Sequence, residues 1–188
     1  MSLPNVNIVL GNGNMGAVTL SDDGISGLIL TGTAVAGKLE LNRAYVLGST
    51  LDLVKLGIDE KNNPFLYKEL MAYYAAAGEG AELHLLVVSE STTLTQICAN
   101  DAASPLKKLV NSAAGRIRLV GINRNTPAEY TPTKEKGLDK DVITAIAAAN
   151  VVAEGFLAAI APFRILLPAI GWDGSTDALY QPREGSYN

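Results

Sequence analysis

The stretch Glu82–Val88 is almost continuously apolar after its leading glutamate. A strand of that kind has no face to give to water, so it belongs inside a sheet that is covered on both sides. The covering elements should therefore be legible elsewhere in the chain, and helical periodicity supplies them. Asn63-Pro64 opens one helix, with Pro64 at a permitted first-turn position, and Leu66, Leu70, Tyr73 and Ala77 fall on one face. Gly78 and Gly80 stop it. Ser104-Pro105 opens a second, carrying Leu106, Leu109, Val110 and Ala113, which ends at Gly115 before a strand over Arg116–Ile122. Asp139 or Asp141 caps a third and longer helix reaching about Ile160, with Val142, Ile146, Ala149, Ala153 and Phe156 on one face. Pro162 then forces an exit into a strand over Phe163–Leu167.

Upstream, Ile25–Thr31 reads as an apolar strand bounded by Gly24 and Gly32, and Ala44–Leu47 as a shorter one. Ser49 and Asp52 match a capping box that opens a short helix, which Gly57 can end. Helices alternating with buried strands predict an α/β fold: an open, largely parallel or mixed sheet with helices on its faces. An extended, β-type arm precedes it, in which Val6, Ile8 and Leu10 alternate with polar neighbours and Gly11, Gly13 and Gly16 loosen the backbone. Met15–Leu20 could add a second short strand. The expected organisation is an arm over 1–23, a core domain over 24–170, and an irregular segment over 171–188. That last segment reads as leading into a missing part of a longer chain. Asn123–Lys140 is polar, holds Pro127 and Pro132, and is expected to be an exposed excursion.

Composition narrows the functional classes. Of 188 residues 48% are hydrophobic and only 18% charged, which supports a sizeable core and a surface that continues into partners. A net charge of -4, with Lys and Arg dispersed, offers no stripe for phosphates and argues against direct nucleic-acid binding. The single cysteine, Cys98, excludes an intramolecular disulfide and a cysteine zinc site. No charged-then-apolar leader opens the sequence, and no apolar run is expected to span a bilayer, the longest, around Val151–Leu167, being interrupted by Glu154, Gly155, Pro162 and Arg164. The expectation is a soluble protein made inside the cell.

Gly11-Asn12-Gly13-Asn14-Met15-Gly16 is a complete GxGxxG string after an apolar stretch, the pattern that brings backbone close to a pyrophosphate. It carries that meaning only when a helix follows, and here Ala17–Leu20 favours a strand before the turn Ser21-Asp22-Asp23-Gly24. The acidic residue expected about twenty positions on has only Glu40 as a late candidate. His84, the sole histidine, lies within the apolar strand, where a packed, hydrogen-bonded role outweighs a general base. No G-x-S-x-G elbow accompanies it. Asp22-Asp23 and Asp139-Lys140-Asp141 lack the alternating ligands of a calcium loop and read as turn and cap. Cys98, near Leu94 and Ile97, reads as a small hydrophobe, and Tyr73-Tyr74 as core and groove lining. No catalytic, cofactor-binding or metal-ligating residue is assigned, and no enzyme is expected.

The order of elements resembles the N-terminal and core part of contractile tail sheath proteins of phages, prophages and related injection machines, above all a divergent sheath-like prophage group. The resemblance rests on the extended arm before Gly24-Ile-Ser-Gly-Leu-Ile-Leu-Thr-Gly32, on Ala44–Gly57, and on Pro64–Val88 with Leu66-Tyr67-Lys68-Glu69-Leu70, Tyr73-Tyr74 and Gly78-Glu79-Gly80. The family usually has Phe-Phe and Asn-Gly-Gly at the last two places and a longer chain with a closing C-terminal segment. The resemblance implies a structural subunit that assembles with itself into hexameric rings around an inner tail tube protein, built in the bacterial cytoplasm and ending in a virion tail or tail-like particle. It implies no cofactor, and no nucleic-acid or membrane partner. The assembly arm would comprise Val6, Ile8, Leu10, Gly11, Gly13 and Gly16, reaching a neighbour's sheet edge. The alternative is a doubly wound nucleotide- or small-molecule-binding enzyme using Gly11–Gly16. A third reading is an adaptor that uses Asn123–Lys140 as its contact loop.

Overall fold

The computed structural model describes residues 25–159 and 161–169. The arm residues Val6, Ile8, Leu10, Gly11, Gly13 and Gly16, and the segment 171–188, lie outside them. Chain order gives β1 (Ser26–Thr31), β2 (Ala44–Leu47), α1 (Thr50–Leu56), α2 (Pro64–Ala77), β3 (Leu83–Val88), α3 (Leu94–Ile97), α4 (Pro105–Ser112), β4 (Leu119–Asn123), β5 (Lys134–Glu135), β6 (Leu138–Asp139), α5 (Lys140–Ala158) and β7 (Arg164–Leu166). Five strands form one sheet in the order β2-β3-β1-β4-β7, and β5 and β6 form a separate hairpin. β1 pairs in parallel with β3 and β4, β4 in parallel with β7, while β2 runs antiparallel to β3. The fold is thus α/β with a mixed, largely parallel sheet.

Every residue of β3 is buried, as a strand with no polar face requires. Its side chains alternate between two cores. Leu86 and Val88 join Ile25, Ile29, Val120 and Ile122 beneath α3, α4 and α5. Leu83, Leu85 and Val87 join Leu30 and Leu47 beneath α1 and α2. On the first face the sheet has a glycine at Gly27, where a Cβ would meet Leu109 Cδ2 at 3.0 Å and Ile117 Cδ1 at 3.2 Å, so α4 packs close above it.

Helix ends follow local chemistry. The Asp52 carboxylate accepts from the N–H groups of Gly48 (2.9 Å) and Ser49 (3.2 Å). Gly57 ends α1 in the left-handed region at φ 67°. Ser104 Oγ accepts from Lys107 N–H at the start of α4, and Asp139, rather than Asp141, caps α5, accepting from Asp141 N–H at 3.1 Å.

Two helical faces differ from the sequence expectation. In α2 the buried row is Leu66, Leu70 and Tyr74, while Tyr73 is half-buried and Ala77 exposed. A strict four-residue row keeps the large ring over the sheet, and Tyr73 meets Tyr74 edge-on at 5.2 Å between centroids. In α5 the buried row is Val142, Ala145, Ala149 and Val152, and Ile146 is 43% exposed. Small alanines let the helix lie close to the sheet, which turns Ile146, Val151 and Leu157 outward. By length and composition alone this 19-residue helix could cross a membrane, against the sequence expectation, yet its inner row packs in the core of the domain. The short helix α3 had no counterpart in the sequence reading.

The outer side of α5 and the inner strand β3 should respond oppositely to truncation. Leu86→Ala is expected to cost about 2–5 kcal/mol because it empties a site buried on all sides. Ile146→Ala should stay within about 0.5 kcal/mol of the parent. Urea unfolding followed by circular dichroism measures both, and equal losses would contradict the assigned helix face.

Candidate functional site

The polar clusters of the described residues are built for holding elements together. Among those residues no group of three or more His, Cys, Asp or Glu could hold a metal ion. Cys98 is buried, and burial, aided by the nearby charge of Asp141, pushes its thiol up to about 12, so it packs as a hydrophobe and not as a nucleophile. His84 is also buried, on the face beneath α4. Its Nε2 lies 2.9 Å from Glu82 Oε1, and its Nδ1 has no partner. Glu82 in turn accepts from Arg116 at 2.9 Å, so β3 and the segment before β4 are tied at one end of the sheet. His84 is thus packed in the sheet with one ring nitrogen satisfied.

The segment Asn123–Lys140 is largely exposed, as expected, but a few of its side chains turn inward. Arg124 turns inward and pairs with Asp141 at 3.2 Å, with both side chains nearly out of water. Its guanidinium donates to Thr92 O and lies 4.6 Å from the centre of the Tyr130 ring. Tyr130 donates a short hydrogen bond to the buried Asp139. Burial and that carboxylate raise the Tyr130 hydroxyl above its ordinary value. Asp141 also accepts from the N–H groups of Leu94 (2.8 Å) and Thr95 (3.0 Å), which clamps α3 to α5. The only sequence signal for this cluster was an arginine directly after a strand in an otherwise polar loop. These residues wall a cavity of about 250 Å³ at the carboxyl ends of β4 and β7.

The perimeter differs in kind. β2 pairs with β3 along one edge, and among the described residues no strand pairs with its other edge. Its Val46 is 62% exposed, and Leu51 and Val54 on the following helix are 70% and 69% exposed. Leu51 and Val54 stand three apart and so share one helical face. The junction from β2 into α1 is fixed rather than loose. Gly80 N–H donates to Gly48 O at 2.7 Å, and Glu79 caps α1 by accepting from Thr50 N–H (2.9 Å) and Thr50 Oγ1 (2.6 Å). The Gly78-Glu79-Gly80 turn is therefore a brace: its glycines sit at φ 85° and 92°, and its glutamate reaches the start of α1. The exposed Val46, Leu51 and Val54 thus stand beside strand backbone that no described strand pairs. The sequence reading placed its assembly residues in the arm and did not single out Val46, Leu51 or Val54.

The described residues thus define a three-layer α/β domain. The chain belongs to the DUF2586 family, whose N-terminal domain matches residues 3–162. No curated protein matches it.

The carboxyl of Glu82 is held below its ordinary value of 4.5 by the hydrogen bond with His84 and then by Arg116, with burial opposing. The folded state thus binds this proton less readily than the unfolded chain. Its stabilisation is complete above the unfolded value and is lost as pH falls through the folded one. Glu82→Gln should cost roughly 1–2 kcal/mol at neutral pH and should flatten the acid limb of stability against pH below that ordinary value. Thermal melts across the acid range test this, and an unchanged acid limb would remove Glu82 from the account.

Proposed function

We propose that the chain is a structural subunit of a contractile, phage-tail-like sheath, assembling with copies of itself around an inner tail tube protein. The observation that carries the reading is the β2 edge. A core closed on both faces leaves Val46, Leu51 and Val54 in water beside strand backbone that no described strand pairs. Burying three such side chains on a neighbour contributes on the order of several kcal/mol per contact before ordering costs. The arm with Val6, Ile8 and Leu10 at strand period, followed by Gly11, Gly13 and Gly16, has the pattern of a donated strand on a bendable tether. The outward Ile146 and Leu157 of α5 supply a second apolar patch that ring stacking would cover. In this reading the protein is not an enzyme, takes no cofactor and binds neither nucleic acid nor membrane. It is made in the bacterial cytoplasm and ends in a tail or tail-like particle.

Two further points support it. The nearly buried Arg124–Asp141 pair is satisfied within the domain, and Asp141 also accepts from backbone at the start of α3, ties that suit a load-transmitting domain. The first strand of the described sheet starts at Ser26, so little chain separates Gly16 from it for the helix of a dinucleotide unit.

Electron microscopy of the full-length protein should show rings or tubes. Val46→Lys with Val54→Lys should abolish them while circular dichroism and melting stay near the parent, because both side chains already face water. Tubes that persist in that variant would rule out the β2 edge as the contact. Monomers from the parent under all conditions would rule out the sheath reading.

A further inference from the structure

We propose that β7 is the counterpart of the β2 edge: β2 of one copy adds to β7 of the next, so that the sheet runs on from subunit to subunit. This rests on the reading that copies of the chain assemble through β2, and it names the surface that β2 meets. The sheet order β2-β3-β1-β4-β7 puts the two strands at opposite rims, and among the described residues no strand pairs with the outer side of either. β1, β3, β4 and β7 run in parallel, and β2 runs against them. Two copies set side by side in the same orientation therefore bring β2 to β7 antiparallel, the more stable of the two pairings. Such a contact is heterologous, and its repetition generates rings or helical tubes. Neither strand holds a proline that would block it. β2 is Ala-Tyr-Val-Leu, without a charge either, and β7 keeps all three N–H groups because Pro162 and Pro168 fall outside it.

The side chains fit the same arrangement. The ladder registers put Arg164 and Leu166 level with Leu119 and Gly121, these with Ser26 and Leu28, and these with Leu83 and Leu85. Residues level with one another share a face, so Leu119, Arg164 and Leu166 belong to the side that α1 and α2 cover. Over β2 and β3 that side is buried, but toward β7 no described element buries it: Leu119, Arg164 and Leu166 are exposed. Strands in a parallel sheet ordinarily have cover on both faces. The next copy supplies it, because its own α1 lies on that same side of its β2 and carries the exposed Leu51 and Val54. In level register Ile165 meets Val46 on the opposite side of the sheet, where Ile165 is already packed against the core. Arg164 then arrives opposite Leu47, close to the exposed Glu79 that caps the start of α1. One docking thus covers two apolar patches and sets an arginine near a carboxylate.

Blocking one edge at a time tests this. Val46→Lys with Val54→Lys removes the β2 side and Leu166→Lys the β7 side, and all three residues already face water, so helix content should stay that of the parent. Analytical ultracentrifugation of the full-length protein should find each variant monomeric alone. Mixed, they should form pairs of one copy each that grow no further, because the first variant keeps its β7 edge and the second its β2 edge. A Leu166→Lys chain that still assembles alone would overturn this contact and leave the sheath reading standing, as would two variants that stay monomeric when mixed. A β2 variant that still assembles would remove β2 from the assembly and this contact with it. A parent that is monomeric throughout would overturn both this contact and the sheath reading. Should Leu166→Lys fail to fold, Arg164→Glu, at an exposed position of the same strand, takes its place with the same outcomes.

Discussion

The parallel ladder between Leu83–Val88 and Ser26–Thr31 is the constraint on which the rest of the molecule depends. Neither strand can turn a face to water, so each needs a layer of helices above and below. Parallel neighbours also need long crossovers, and those crossovers are where the helices come from. Once β3 and β1 lie side by side, β4 and β7 extend the sheet one way and β2 closes it the other way in the antiparallel sense. The strands divide their side chains between two separate cores, one under α1 and α2 and the other under α3, α4 and α5. A loss in one core is felt by the other through a shared backbone ladder.

That arrangement also sets the part that polar groups play inside the described domain. The ionisable groups that come in from water do so to tie elements together: Glu82 to His84 and Arg116, and Asp141 to Arg124 and the start of α3. Each would cost free energy if left alone, and each is nearly or wholly satisfied. The Gly78-Glu79-Gly80 brace plays the same part on the surface, holding β2 and α1 in a fixed relation.

The fold was legible where one signal dominated. The apolar run at β3, the glycine-bounded β1, the proline starts of α2 and α4 and the Ser49/Asp52 cap all correspond to elements that the structure contains. Helix phase was less legible, because α5 is apolar on nearly every side and periodicity cannot choose among Ala145, Ile146 and Ala149. The sheet chose the small residues, since close approach outweighs the area that one isoleucine would bury. The Asn123–Lys140 loop is largely exposed, as its polarity indicated, but polarity gave no sign that Arg124, Tyr130 and Asp139 satisfy one another and fold inward. The candidate edge was invisible for a different reason. Val46, Leu51 and Val54 look like core residues in sequence, and only the placement of β2 at the rim turns them outward.

Amide hydrogen exchange on the full-length protein, dispersed and then assembled, tests the central claim most directly. Backbone protection at β1 and β3 should be high in both states, since their hydrogen bonds lie inside the sheet. The amides of Ala44–Leu47 that face away from β3 should exchange freely when dispersed and become protected on assembly. If those amides are equally protected in both states, or exposed in both, β2 is not the edge through which the subunits join.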